Sequence, residues 1–262
     1  MRLPVILLWI CFLAALPVLP AVAQDKATPA APVQTQAKKP CAATEKSCLL
    51  AELGSITDTV TDTLWRDQTY RESAKLMTRE KMTGEAIALL NKIQNPDTKA
   101  LTIRGIGMAA AAVKNNMAKG ELDALWVTLH READKIDHPP SHAIALTYIA
   151  MAQAFAGDDK GAHDTAMGMD NTALRHKALG ETANIQAERG DVTQALASIA
   201  SIDDPSFRDK ALRKVSRTFA EHGKYDEALQ TARAIDNAYQ KAQAVLFILA
   251  RQITPDEVSV VE

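Results

Sequence analysis

The chain has 262 residues, with 30 Lys and Arg against 32 Asp and Glu. A charge so close to balance gives no support to nucleic acid as a general partner. Ala and Leu are the commonest residues, aromatics make up only 5%, and strand-like alternation is missing, so the composition points to an all-α protein.

Residues 1–23 read as a secretory signal peptide. Arg2 is a short positive segment, VILLWICFLAALPVL is uncharged and apolar, and Ala21-Val22-Ala23 supplies small residues for cleavage before Gln24. A retained membrane anchor is the alternative, but the run is short for a span and no basic stop-transfer flank follows. Lipidation of Cys11 is disfavoured because Leu8-Trp9-Ile10 lacks the small residue expected before it. The mature protein is therefore expected in the periplasm or outside the cell, with no membrane span. Residues 24–47 form an expected linker: QDKATPAAPVQTQAKKP sets three prolines among Ala, Gln and Lys, with Val33 as the one bulky apolar residue, too little to offset the entropy of ordering. Cys41 and Cys48 remain once Cys11 has left with the signal. In an oxidising compartment an even pair most simply closes CAATEKSC as a disulfide at the start of the first helix. Two free thiols or a redox pair are the alternatives, and neither sulfur has an activating neighbour.

Residues 48–252 are predicted to be helical throughout. CLLAELGSITD, at 48–58, reads as a lone short helix that caps one end, and the first full unit begins near Arg66, with Trp65 packed into the cap and ligand stacking as its alternative role. Residues 97–137 are irregular. RGIGMAAAAVKNN puts Gly105 and Gly107 beside four alanines, a pattern for close helix packing; it is not a phosphate loop, because no strand precedes it and no Gly-Lys-Ser/Thr follows. GELDALWVTLHREADKID is longer than its counterparts and is expected to protrude, carrying Trp126 and His130 outward.

The regular part lies at 138–236. Asp137, Asp170, Asp203 and Asp236 are each 33 residues apart, as are Gly157, Gly190 and Gly223, and Ala162, Ala195 and Ala228. Cation-capable residues recur at Arg66, Lys99, His142, Arg175, Arg208 and Lys241, with every interval 33 except the 43 between Lys99 and His142. Several residue types sharing one period signal an array of supersecondary units. In each unit Asp and Pro (Pro96, Pro139, Pro205) start a long helix, apolar residues follow at helical spacing (Leu212, Val215, Phe219), a Gly stops it, and a shorter helix follows (Ala228, Leu229, Ala232, Ile235). Neither helix buries its stripe alone, and stacking the copies makes one core.

The set Leu212, Val215, Ser216, Phe219, Gly223, Tyr225, Ala228 and Ile235 resembles the tetratricopeptide repeat, and the copies around Leu146–Ala162 and Leu179–Ala195 are similar. The period is one residue shorter than that family's, of about 34, and its signature Trp is absent at the Leu212 position. The resemblance implies a right-handed α-solenoid over residues 62–252 and a non-catalytic scaffold or adaptor that binds an envelope protein or peptide. It also implies an inner face lined by first-helix residues. On that alignment Lys177, Asn184, Lys210, Arg213 and Arg217 point inward and are candidates to hold an acidic or C-terminal peptide segment; the bland reading of RDKALRKVSR is a solvated helix face with local acidic partners.

The last helix, near 238–252, is apolar on most faces, and residues 253–262 form a tail in which Val258, Val260 and Val261 can fold back. Docking of this helix into a complex or a homodimer is the alternative function. No cofactor or metal is expected. His138 and His142 flank Pro139-Pro140 near Asp134 and Asp137, but the prolines break the helix that would put both rings on one face. His163, His176 and His222 are expected to be solvated. No GxSxG, HExxH or Cys/His context indicates an enzyme.

Overall fold

The computed structural model describes residues 41–255. The expected signal peptide, the linker up to residue 40 and the valines of the tail lie outside the described residues. The described residues are all-helical: α1 (Lys46–Thr57), α2 (Thr63–Arg79), α3 (Thr83–Lys92), α4 (Pro96–Val113), α5 (Glu121–Ala133), α6 (Pro139–Ala156), α7 (Asp159–Met167), α8 (Thr172–Glu188), α9 (Val192–Ala200), α10 (Pro205–Glu221), α11 (Tyr225–Arg233) and α12 (Ala238–Ile253). None of these helices is long and apolar enough to cross a membrane. Cys41 and Cys48 are joined by a disulfide, with Cα atoms 5.7 Å apart, closing the loop that leads into α1.

Long and short helices alternate. From α2 onward each long helix packs on the next long one, α2 on α4, α4 on α6, α6 on α8, α8 on α10 and α10 on α12, and each short helix packs on the long helix before it. The local chemistry explains the boundaries. Side chains of Asp62, Asn95, Asn171, Asp204 and Asn237 accept a backbone N–H in the first turn of α2, α4, α8, α10 and α12, each occupying a donor that the helix leaves unpaired. The caps therefore stand one residue after the Asp137–Asp236 series. The series itself has other work: the Asp236 carboxylate accepts from Arg208 at 2.9 Å, an exposed pair of small energetic weight. Arg175, in register with Arg208, donates to the Met169 carbonyl instead.

Gly157, Gly190 and Gly223 end α6, α8 and α10 in the left-handed conformation, with φ of 86°, 82° and 72°. Two steps earlier in the same register, past the 43-residue interval and a further 33, stands Lys81, whose φ is 64°. A Cβ in this region costs about 1 kcal/mol. Lys81→Gly is expected to raise stability by about 0.5–1 kcal/mol, a shift that urea denaturation resolves; an unchanged midpoint would mean that the extra backbone freedom of glycine in the unfolded chain cancels the relief.

The insertion packs its second helix against the neighbouring long helices α4 and α6. Its extra residues make a 3-10 turn at Lys114–Asn116, the segment to Gly120, and a 13-residue α5. Trp126, expected to project, is buried with Leu125 and Leu129. The reason is Gly107. A Cβ there would lie 2.8 Å from the Ala152 Cβ of α6, and the Trp126 and Leu129 side chains close over the same spot at 3.5 and 3.6 Å. Bare backbone on α4 lets α6 approach and gives the indole a flat seat. His130 is half-buried, with its Nε2 3.1 Å from the Thr165 hydroxyl, and burial pushes its pKa down. Trp65 reverses the other way. It is 62% exposed, in the first turn of α2.

Near α1, the Tyr70 hydroxyl donates to Asp58 at 2.5 Å and Lys92 donates to the same carboxylate at 2.7 Å. Lys92, then Tyr70, hold the Asp58 carboxyl below the usual carboxylate range. Burial, then the bond to Asp58, push the Tyr70 phenol up to about 12. The signs are opposite. The Asp58 contribution is present above the unfolded carboxylate pKa and lost as pH falls through its lowered value. The Tyr70 contribution is present below about pH 10 and lost as pH rises toward 12. Absorbance titration should show one tyrosine ionising last, near pH 12, and Tyr70→Phe should remove that step; a step that survives belongs to another tyrosine.

Candidate functional site

The candidate residues fall on two neighbouring long helices, α8 and α10. Successive positions on one face of a helix are three or four residues apart, so Lys210, Arg213, Lys214 and Arg217 form a single cationic stripe. Asn184 and Glu188 face it from α8, and Thr218 and Glu221 close the end, enclosing a groove of about 370 Å³. Lys210 and Lys214 are exposed, and Arg213 and Arg217 are half-buried.

The charges are unequally satisfied. Lys214 donates to Glu181 of α8 at 2.6 Å. Among the described residues, Lys210, Arg213 and Arg217 have no carboxylate within 4.0 Å, although Glu188 and Glu221 share the groove. The Arg217 guanidinium lies 4.3 Å from the ring centroid of Phe247 on α12. That contact fixes its direction without neutralising it. Asn184 is buried, and its amide bridges the helices: the oxygen accepts from the Thr218 hydroxyl at 2.8 Å, and the nitrogen donates to Glu188 at 2.8 Å. It forms the floor of the groove and holds Glu188 back. Lys177 is not in this groove. It lines the adjoining recess of about 350 Å³ with Arg104, Ile144, Tyr148, Met151 and Leu174.

Three clusters elsewhere bear on chemistry. His138 Nδ1 lies 2.6 Å from Ser141 Oγ, and that hydroxyl donates to Asp97. The serine is fully buried and its proton is directed at a carboxylate rather than at the imidazole, so the trio anchors the start of α6 to α4. His142 faces Asp134 at 3.4 Å. His176, expected to be solvated, is buried against Phe207 with ring centroids 5.6 Å apart. Among the described residues no group of three or more His, Cys, Asp or Glu side chains is arranged to hold a metal ion.

No family model, curated protein or solved structure matches the chain.

The sequence reading missed a second cationic groove. Between α2 and α4, Arg71, Lys75, Arg79 and Arg104 surround about 450 Å³, with Glu72 as the acidic member. Its signal was available. Arg71, Lys75 and Arg79 are spaced i, i+4, i+8 on one helix face, and Arg71 and Arg104 share the register of Arg213.

Proposed function

We propose that this protein is a non-catalytic scaffold or adaptor that binds a protein or peptide, built as a right-handed α-solenoid of tetratricopeptide-like units, and that it works in the periplasm or outside the cell after losing residues 1–23. The alternation of long and short helices, each pair packed on the next, agrees with the 33-residue step of the sequence. The observation that carries the binding role is the α8–α10 groove, where Lys210, Arg213 and Arg217 converge without carboxylate partners among the described residues. Convergent cations replace the water around a carboxylate, and a guanidinium does so in bidentate fashion. The ligand is therefore an acidic or C-terminal peptide segment.

Fluorescence anisotropy with labelled acidic peptides, amidated or free at the C-terminus, tests this against the mature protein and an Arg213→Glu/Arg217→Glu variant. Submicromolar to micromolar binding by the wild type, lost in a variant with an unchanged helical spectrum, is the expected result. Equal affinity of both proteins would move the site elsewhere. Stronger binding of the free-carboxylate peptide would assign the terminal group as the anchor.

A second reading has its own observation. On α12, Tyr239, Leu246, Leu249 and Ile253 are 73%, 50%, 45% and 74% exposed, an apolar face of the kind that associates. Sedimentation at micromolar concentration, with Leu246→Glu/Leu249→Glu alongside, decides whether this face makes a homodimer; a monomer in both would remove that reading.

A further inference from the structure

The two cationic grooves are ends of one trough. The recess holding Lys177 shares Arg104 with the α2–α4 groove. At its other side it contains Glu181, the carboxylate that accepts from Lys214 of the α8–α10 groove. Corresponding positions of successive long helices supply much of the lining. In steps of 33 residues, with 43 across the insertion, Lys75, Met108, Met151, Asn184 and Arg217 form one row, and Arg71, Arg104, Thr147, Gly180 and Arg213 form the row beside it. Both rows are cationic at α2 and α10 and uncharged at α6.

The charge on this face differs from that of the molecule. The three recesses together present nine Lys and Arg and four Glu, while the whole chain carries more acid than base. Basic residues are thus concentrated here, and the potential of the trough is positive against a slightly negative background. Its centre is of another kind. Ile144, Met151 and Leu174 form the walls there, and the Tyr148 ring is covered by the Arg104 guanidinium at 5.3 Å from its centroid. A side recess of about 670 Å³ between α6 and α8 opens past Ile144, Leu174 and Lys177, lined also by Ala143, Leu146 and Met169.

We infer that the partner is an extended polypeptide segment with acidic residues at both ends and one or two large apolar residues between them, lying across α2 to α10 with its apolar side chain in the recess between α6 and α8. This rests on the peptide-binding reading above and adds the second contact, the central anchor and the length. Four intervals between neighbouring long helices, at about 8–10 Å each, put α2 at most about 40 Å from α10, a span for about 12 extended residues. A nucleic acid fits less well. Its phosphates recur about every 3.4 Å along a strand and would be held against Glu72, Glu181, Glu188 and Glu221 and across the uncharged centre, and the one aromatic face there is already occupied.

Three labelled probes test the inference: a 16-residue peptide with four Asp/Glu at each end and a Leu-Phe pair at its centre, the same peptide with Gly-Ser at the centre, and a half peptide carrying one acidic end. An oligothymidylate of 16 nucleotides is the competitor. The wild type should bind the full peptide about 100-fold more tightly than the half peptide, as linked contacts do. Arg71→Glu/Lys75→Glu should reduce the full peptide to the half-peptide level and leave the half peptide unchanged. Ile144→Glu should act on the full peptide and not on the Gly-Ser peptide. Equal affinity of full and half peptides in the wild type would overturn the extended trough while leaving the α8–α10 site standing. Failure of every peptide, with Arg213→Glu/Arg217→Glu indistinguishable from wild type, would overturn the underlying reading as well. Displacement of the full peptide by equimolar oligothymidylate would replace the polypeptide with a nucleic acid.

Discussion

Phe219→Ala should lower the stability of the protein by about 3–5 kcal/mol, among the largest losses expected from truncating any described residue. The ring is fully buried, and so are Val215, Ile235, Ala228 and Ala232 in the same cluster. The cost depends on how far the surroundings can collapse into the space left. Here they cannot collapse far. Alanine at 183, 187, 228 and 232 gives the neighbourhood short side chains with no rotamers to swing inward, so most of the cavity stays open. Denaturation by urea, followed by circular dichroism, measures the loss. A change under about 1 kcal/mol would show that α10 and α11 slide together to refill the space.

Asp209→Ala is the second large effect, at about 3 kcal/mol. Asp209 is 4% exposed, and its two oxygens separately accept the backbone N–H groups of Asp236 and Asn237 at 2.9 and 2.8 Å. It fastens α10 to the start of α12, and alanine leaves both donors without their acceptor. Asp67 does the same for Gln94 and Asn95, but both donors use one oxygen, Oδ2, at 2.9 Å, and Oδ1 has no partner. The difference gives a sharper comparison. An asparagine at 67 keeps one carbonyl oxygen for both donors, whereas an asparagine at 209 must turn its amide N–H₂ toward one of them. Asp209→Asn is therefore expected to be clearly more destabilising than Asp67→Asn. Equal losses would mean that charge, rather than the number of accepting oxygens, sets the cost.

Periodicity made the helices legible. The left-handed glycines at 157, 190 and 223 and the capped starts at Asn171 and Asp204 lie where a 33-residue step puts a stop and a start. Depth was less legible than face. Trp65 and Trp126 are both large apolar side chains on helices, yet one is exposed and the other buried. What separates them is whether a neighbour reaches them, and for Trp126 the decisive residue is Gly107 on another helix. His176 was a recoverable error: it shares its register with Asp67 and Asp209, both buried, so its position rather than its polarity indicated its surroundings. Half of the candidate site could be read directly, because four cations on α10 form an obvious cluster. The α2 half was equally legible in the spacing of Arg71, Lys75 and Arg79, but Glu72 among them gives that stretch the look of an ordinary mixed-charge helix face. The separation of Lys177 from Lys210 followed only once α6 and α8 were packed.

No substantial packing among the described residues joins helices more than two steps apart in the chain. Mechanically, such a body is a spring with no crossbar. A small rotation at any one interface between long helices changes the separation of α2 and α10, and nothing within the described residues opposes the accumulated bend. A segment held at both ends of the trough would be the missing crossbar. Its binding would stiffen the whole protein, and slowed amide exchange in α4 and α6, far from either acidic end, would record that stiffening.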